Sequence, residues 1–555
     1  MSTIGRFKSQ ELRKDNPLLS ALKATIESAF YGSNVTKVPD LATAYHNAYH
    51  APTTTVTDML VSQAEELGLP ADAVVLVNND GKIVGRTAAA RRILGHPGVD
   101  SAYYAGIMRE AVYQSLQEEF YQGDVIVGLS EDYSVKAHLM LPKGYENNFY
   151  SYLLNFQIVT PEIEKLYQRT PELTENDLFI FANPNWSHPD FPNGLALFDP
   201  EHNVAAILGL RYFGELKKAT LTLAWATAHR NGFVACHGGM KQYDLGNKKF
   251  TMAAFGLSGS GKSTITLAQH DDTVPVTVLH DDAFVIHEDT GATTALEPAY
   301  FDKTQDYPAD SSVLDYCLTV QNVGVTLDDQ GQKIIVTEDI RNGNGRTIKS
   351  RYVTPNRVDY LAEKIDAVFW IMKDDSLPPV VKVSDPQLAT LFGVTLATKR
   401  STAENVVGDV NLDKLVIEPF ANPFRCYPLH EDYAAFQKLF ASGVRCYILN
   451  TGYFNGRKVT KEETLGSIEK IMSGTAKFTD FGPIQRLSYL PLENHPVHFN
   501  DIGYMNKIKQ RLVDRLAFIN EKKKSNDGYD ALPNEANEFM EMMILDLAQA
   551  MSEQI

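Results

Sequence analysis

The run Phe255-Gly-Leu-Ser-Gly-Ser-Gly-Lys-Ser-Thr264 constrains this chain more than any other stretch. Gly256 is followed, after four residues, by Gly261-Lys262-Ser263. That spacing lets a loop turn its backbone N–H groups inward around phosphate oxygens. Leu257, Ser258, Gly259, Ser260 and Thr264 complete the loop. Lys262 is spaced to reach β- and γ-phosphates, and the Ser263 hydroxyl to ligate Mg²⁺. Thr251–Phe255 reads as a short buried strand. Residues 263–269 read as the start of a helix, whose N-terminal dipole favours an anion. The strand–loop–helix order predicts a nucleotide-binding α/β unit.

At 555 residues the chain is long enough for two or more domains. With 44% hydrophobic and 22% charged residues it is ordinary globular material. A net charge of −17 argues against nucleic acid or an acidic membrane surface as the main partner. Small phosphate substrates stay open, because a few local cations suffice for them. Cys236, Cys317, Cys426 and Cys446 are widely spaced, with no C-x-x-C, which predicts reduced thiols. The first residues lack the apolar core of a signal peptide, and no apolar run reaches the ~18 residues of a membrane span. The expected compartment is the cytoplasm.

Taken in order, Leu18–Ala29 and Thr55–Leu67 carry apolar residues at helical spacing, and Val74–Asn78 reads as a strand. Gly106–Phe120 reads as a helix, and Asp124–Leu129 and Ser134–Leu141 as paired strands. Ala205–Leu210 is a buried strand leading into a helix that runs through Thr227. Gly232–Cys236 is expected to end at His237, and Val274–Leu279 at His280-Asp281-Asp282. Ala367–Met372 ends at Lys373-Asp374-Asp375, and Val444–Leu449 at Asn450-Thr451-Gly452. Polar groups thus gather at strand C-terminal ends, where open α/β sheets bind ligands. Residues 522–535 read as a connection to a last amphipathic helix over Phe539–Met551.

Several residues have a chemical and a plain reading. Asp281-Asp282 follows Lys262 at a distance that suits a metal carboxylate beside a nucleotide; alone it would be a solvated pair. Lys217-Lys218 sits near a helix start, where cations are disfavoured and an anion is therefore hinted at. His237, before Gly238-Gly239, is on its own a hydrogen-bonded core histidine. Arg341 is either paired with Glu338 and Asp339 or a clamp on a transferring phosphoryl group. Arg86 is either a surface arginine or a bidentate fork for a carboxylate.

In order, these segments resemble the ATP-dependent phosphoenolpyruvate carboxykinase family. Tyr212-Phe-Gly-Glu-Leu-Lys-Lys218 resembles its Tyr-Gly-Gly-Glu-Met-Lys-Lys, and Phe255–Thr264 matches its kinase loop nearly residue for residue. His280-Asp281-Asp282 stands where the family has Gly-Asp-Asp. Thr337-Glu-Asp-Ile-Arg341 resembles Thr-Glu-Asn-Thr-Arg, and Asn450-Thr-Gly-Tyr453 resembles Asn-Thr-Gly-Trp. The chain departs at Gly85-Arg-Thr-Ala-Ala-Ala-Arg91, where the family has Gly-Arg-Ser-Pro-Lys-Asp-Lys. Around His237 the cysteine precedes the histidine instead of following it, and Lys458 replaces an arginine.

The resemblance implies Mn²⁺ held by Lys218, His237 and Asp282, and Mg²⁺ held by Ser263 with ATP. It implies Arg86 and Tyr212 on oxaloacetate, and adenine beside Lys458, Val459 and Thr464. Lys217, Lys262, Asp281 and Arg341 join Lys218 and Asp282 as implied catalytic residues. The expected architecture is α/β: a mixed-sheet, substrate-side N-terminal domain, 1–235, and a phosphate-loop domain for nucleotide and metal, 236–555. The expected partners are small molecules, with no nucleic acid or membrane and the oligomeric state left open. The implied reaction converts oxaloacetate and ATP to phosphoenolpyruvate, ADP and CO₂. The alternatives are a kinase acting on another small acid, or a nucleotide sensor that has lost catalysis.

Overall fold

Alternation decides which strands of this chain can be central. In Met252-Ala-Ala-Phe255 and Ala367-Val-Phe-Trp-Ile-Met372 every residue is apolar, so both faces of these strands must be covered. The computed structural model describes residues 7–79, 85–173, 175–257, 259–268, 274–338, 345–399 and 415–553. It is mixed α/β, with mixed sheets and twelve α-helices among the described residues. The chain divides into two compact units. One takes Met1–Asn231 and Thr294–Pro355; the other takes Gly232–Thr293, Asn356–Ser401 and Asn411–Ile555. The first break falls between Asn231 and Gly232, and Thr294–Pro355 returns to the first unit, so neither unit is one continuous stretch.

The first unit holds an eight-stranded mixed sheet and a five-stranded one. Leu178–Asn183, Val204–Leu208 and Leu195–Asp199 lie side by side at the centre of the larger sheet and are buried throughout. On one face Leu22, Ile26 and Met108, from helices Ala21–Ala29 and Ser101–Ser115, pack against Phe181, Leu197 and Leu208. Helix Phe213–Arg230, buried on nearly every side, packs on the two central parallel strands. The smaller sheet contains Val74–Asn78, Cys317–Gln321 and Arg346–Lys349.

In the second unit Lys249–Phe255, Ala367–Met372 and Arg445–Asn450 run parallel as neighbours. Ala253, Phe255, Val368, Trp370 and Met372 enter one hydrophobic cluster, whereas Met252, Ala254, Ala367, Phe369 and Ile371 enter another. Strict alternation into two cores is the two-sided burial that the all-apolar strands require. Phe233–Asp244 and Val276–His287 extend the sheet antiparallel beyond Lys249–Phe255. Helices Ile502–Lys524 and Asn534–Glu553 supply Ile508, Leu512, Met540 and Leu547 to the first cluster.

Several expectations shift. Thr55–Leu67 is the strand Thr54–Leu60 and a short turn of 3₁₀ helix, because Thr54-Thr-Val-Thr57 is β-branched and stiff at χ1. The helix expected over Gly106–Phe120 is Ser101–Ser115, started by Asp100, whose carboxylate accepts from the N–H groups of Ala102 and Tyr103. The strands expected to stop at His237 and His280 run on, as Phe233–Asp244 and Val276–His287. The charged stretch from Lys522 begins inside helix Ile502–Lys524, and the final helix already starts at Asn534.

Candidate functional site

Gly238 and Gly239, which follow His237, are points of close packing. On Gly239 a Cβ would lie 2.2 Å from Thr266 Cγ2; on Gly238 it would lie 2.7 Å from the Ala254 carbonyl oxygen. The short helix Lys262–Leu267 therefore sits directly on strand Phe233–Asp244. Lys241 of that strand is fully buried and donates from Nζ to the carbonyls of Ile265 (2.9 Å) and Ala268 (2.7 Å). A cation is well placed on C-terminal helix carbonyls. Burial nevertheless pushes the Lys241 ammonium down to about 7.

The loop before this helix turns through left-handed backbone at Gly259 (φ 79°) and Gly261 (φ 99°), conformations that favour glycine. It is tied down from two neighbouring strand ends. Thr451 Oγ1 donates to the Ser260 carbonyl at 2.6 Å, and Lys373 Nζ donates to the Gly259 carbonyl at 2.7 Å. Ser260 is 2% exposed, and its hydroxyl has no hydrogen-bond partner among the described residues. Leu257 is buried and Thr264 exposed; Ser258 and the Ser263 side chain lie outside the described residues.

Lys262, His237 and Asp282 meet on one carboxylate oxygen. Strand register puts Gly238 opposite Asp282, and so His237 beside it on the neighbouring strand. His237 Nε2 lies 3.0 Å from Asp282 Oδ1, and Lys262 Nζ bonds to the same oxygen. His237 Nδ1 lies 2.5 Å from the carbonyl oxygen of Ala421, so Nδ1 carries the proton and donates. Phe424 meets the imidazole edge-on at 5.3 Å. The supporting backbone is strained, with Phe420 (φ 52°) and Ala421 (φ 54°) in the left-handed region and both buried. Phe420 is held there by stacking on Phe436, with centroids 4.4 Å apart.

With Nδ1 bonded to Ala421, Nε2 is the ring nitrogen turned to Asp282 Oδ1, and Lys262 supplies a cation on that same oxygen. A histidine nitrogen and a carboxylate oxygen, with the other ring nitrogen anchored on a carbonyl, are a donor set suited to a divalent metal. Asp281, also expected here, is 5% exposed and sits opposite Gly239. Among the described residues no group of three or more His, Cys, Asp and Glu gathers around one point.

The residues expected beside adenine are linked to the same loop. The Val459 N–H donates to the Gly452 carbonyl at 2.9 Å, next to Thr451. Lys458 is exposed in the short strand Arg457–Lys458. Thr464 is buried in helix Lys461–Ser473, whose N-cap Thr460 forms a capping box with Glu463.

The remaining candidates belong to the first unit. Tyr212 precedes helix Phe213–Arg230, and Lys217 and Lys218 lie on that helix. Lys217, 1% exposed, pairs with Glu297 at 3.3 Å and lies over the Phe301 ring. Asn155 also donates to Glu297, at 2.5 Å. Lys218 lies 6.0 Å from the Trp225 ring centre. Arg86 is nearly buried; Glu215 accepts from the adjacent Thr87 N–H at 2.5 Å and feels the charge of Arg86. Burial pushes the Glu215 carboxyl up to about 7 against the pull of Arg86 and Arg91. Tyr212 lines a cavity of about 70 Å³ with Asn78, Asn148, Arg211, Gln321 and Asn322. Arg341 lies outside the described residues.

Sequence reasoning did not single out Glu297, Lys241 or Ala421. Ala421 acts through its backbone, which no side-chain pattern reports. Glu297 is the counter-charge of a lysine some eighty positions away in the chain, a pairing only the fold reveals.

A family model described as phosphoenolpyruvate carboxykinase matches residues 52–489. The chain is similar to the phosphoenolpyruvate carboxykinase (ATP) of Aeropyrum pernix, at 26% identity over 49% of this chain and 57% of the relative. It is similar to that of Sulfurimonas denitrificans, at 23% over 69% of this chain and 72% of the relative. For Bradyrhizobium diazoefficiens the identity is again 23%, over 76% and 79%. The alignment with the Aeropyrum protein thus spans little more than half of that relative's length. With its model matched across most of the sequence, including the Gly256–Thr264 loop and the His237 and Asp282 positions, the chain belongs to the ATP-dependent phosphoenolpyruvate carboxykinase family.

Proposed function

We propose that this chain converts oxaloacetate and ATP to phosphoenolpyruvate, ADP and CO₂. The observation that carries the reading is the Asp282 carboxylate shared by Lys262 of the glycine loop and Nε2 of an oriented His237. The Gly256–Thr264 loop holds the triphosphate, with Val459 and Thr464 towards the base. Arg86 and Tyr212 hold the oxaloacetate carboxylates.

Lys218, His237 and Asp282 would hold Mn²⁺, and Ser263 would hold Mg²⁺; these ions supply Lewis-acid stabilisation of negative charge. Loss of CO₂ leaves a pyruvate enolate, whose oxygen attacks the γ-phosphorus in line while ADP leaves. Lys262 and Lys217 neutralise the charge that develops on the transferring group, and Arg341 is assigned the same role. Ala421 keeps the proton of His237 on Nδ1, so Nε2 stays directed at the reacting side. Among the described residues no helix is long and apolar enough to cross a membrane, and the four buried cysteines form no disulfide. A reducing cytoplasm suits both observations.

The test is a coupled assay for phosphoenolpyruvate from oxaloacetate with ATP, Mg²⁺ and Mn²⁺, run on the parent and on Asp282→Asn. ATP-dependent product in the parent, reduced at least about a hundredfold in the variant, is expected when a metal carboxylate loses its charge. Tight ATP binding without any turnover in the parent would overturn the reading.

A further inference from the structure

One lysine of the second unit is bonded to the glycine loop, and two others stand on segments linked to it. Lys373 follows strand Ala367–Met372, and its Nζ rests on the Gly259 carbonyl at 2.7 Å. Its own N–H donates to the Ala397 carbonyl at 3.2 Å, which brings in the strand Ala397–Lys399 and with it Lys399. Gly452 packs on Lys373 so closely that a Cβ on it would lie 3.3 Å from Lys373 Cα. The Gly452 carbonyl accepts from Val459, the neighbour of Lys458.

The acids next to Lys373 in the chain are engaged elsewhere. Asp374 is fully buried and bonded by Arg515 at 2.8 Å, and Asp375 by Arg511 at 3.1 Å, both from helix Ile502–Lys524. Among the described residues neither Lys373 nor Lys458 pairs with a carboxylate. Burial lowers the Lys373 ammonium, and the like charges of Lys399 and Lys458 lower it further. A cation on a loop that also holds a buried Ser260 hydroxyl, without a hydrogen-bond partner among the described residues, is a place for negative charge.

We propose that Lys373 forms a cationic rim on the Gly256–Thr264 loop and binds the polyphosphate tail of a nucleotide seated there. The inference deepens the proposed function by adding a binding group that the family motifs do not carry. Lys373 holds the Gly259 carbonyl while the loop is empty, and a phosphate oxygen becomes the better partner for its charge on binding.

Binding of ATP and, separately, of inorganic tripolyphosphate is measured by calorimetry at two ionic strengths for the parent, Lys373→Gln and Lys373→Arg. The glutamine keeps a donor for the Gly259 carbonyl but not the charge. Lys373→Gln is expected to weaken both ligands by about tenfold or more, the scale of one charged hydrogen bond, and to flatten the salt dependence. Lys373→Arg is expected to stay within about threefold of the parent, because it keeps the charge. Parent-like affinity in Lys373→Gln would reduce the lysine to a brace for the loop and overturn the proposal. Tripolyphosphate binding that depends on Lys373, in a protein without turnover, would uphold the rim while refuting the proposed reaction. Failure of the parent to bind either ligand would refute both.

Discussion

Glu215 should make the first unit less stable as pH rises through neutrality. Its carboxyl is 5% exposed and accepts the Thr87 N–H at 2.5 Å. Burial raises it from 4.5 to about 7, although Arg86 and Arg91 pull the other way. The folded state therefore keeps a proton that the unfolded chain releases between these values. The stabilisation is complete below 4.5 and is lost as pH rises through 7. At about 1.4 kcal/mol per pH unit, ionising the folded carboxyl at pH 8 costs about 3 kcal/mol; at pH 5 the cost is below about 1 kcal/mol.

Glu215→Gln mimics the protonated form and keeps an oxygen for Thr87. Relative to the parent it should gain about 2 kcal/mol of stability on going from pH 5 to pH 8. Urea unfolding of both proteins at the two pH values, followed by a tryptophan of the first unit such as Trp225, measures that difference of differences. If the gap between variant and parent stays the same at both pH values, the Glu215 carboxyl is ordinary and the argument from burial fails. A variant that loses ground at pH 8 would mean that the ionised carboxylate is the form Arg86 and Arg91 stabilise.

Gly239→Ala forces a Cβ to within 2.2 Å of the Thr266 methyl. It should cost about 1–3 kcal/mol as an overpacked contact and raise the KM for ATP by moving the helix that carries Lys262. Adding Thr266→Ser removes that methyl and should restore much of both, which a double-mutant cycle of thermal unfolding and KM reads directly. Glu297→Gln removes the carboxylate paired with the buried Lys217 ammonium, which Asp302 also faces, and should destabilise the first unit by about 1–3 kcal/mol, measured by urea unfolding. Its kcat should fall further than its KM for ATP rises, since Lys217 is assigned to the transferring group.

The parallel strands of the second unit were legible because their constraint is local. A strand covered on both faces must be apolar at every position, and Ala367–Met372 announces itself for that reason. Their C-terminal ends were legible too, since Gly256, Lys373 and Asn450-Thr451 stand at the same edge by sequence order alone. His237 and Asp282 were not placed correctly, because they lie within long antiparallel strands and not at strand ends. The use of Gly238-Gly239 is long-range: it removes two side chains so that a carbonyl and a helix can close onto the strand.

The same distinction separates the residues of the candidate site by how they were found. Lys262 and Asp282 stood out by residue type and spacing, whereas the roles expected of His237, Lys217 and Lys218 came only from the family resemblance. What holds them could not be read from either. Ala421 orients His237 with a carbonyl, on left-handed backbone where Phe420 stacks against Phe436 and packs on Trp370. Lys241 holds the Lys262 helix by two carbonyls, and Glu297 holds Lys217 from a distant segment of the chain. Each support acts through backbone atoms or across a large sequence separation, so substitution can alter the motif-bearing residues without touching one of them. A chain at 23–26% identity to its relatives can thus keep the reacting groups while replacing what positions them. Lys241 holds the end of the helix after the glycine loop and Lys373 holds the loop itself, each through carbonyl oxygens.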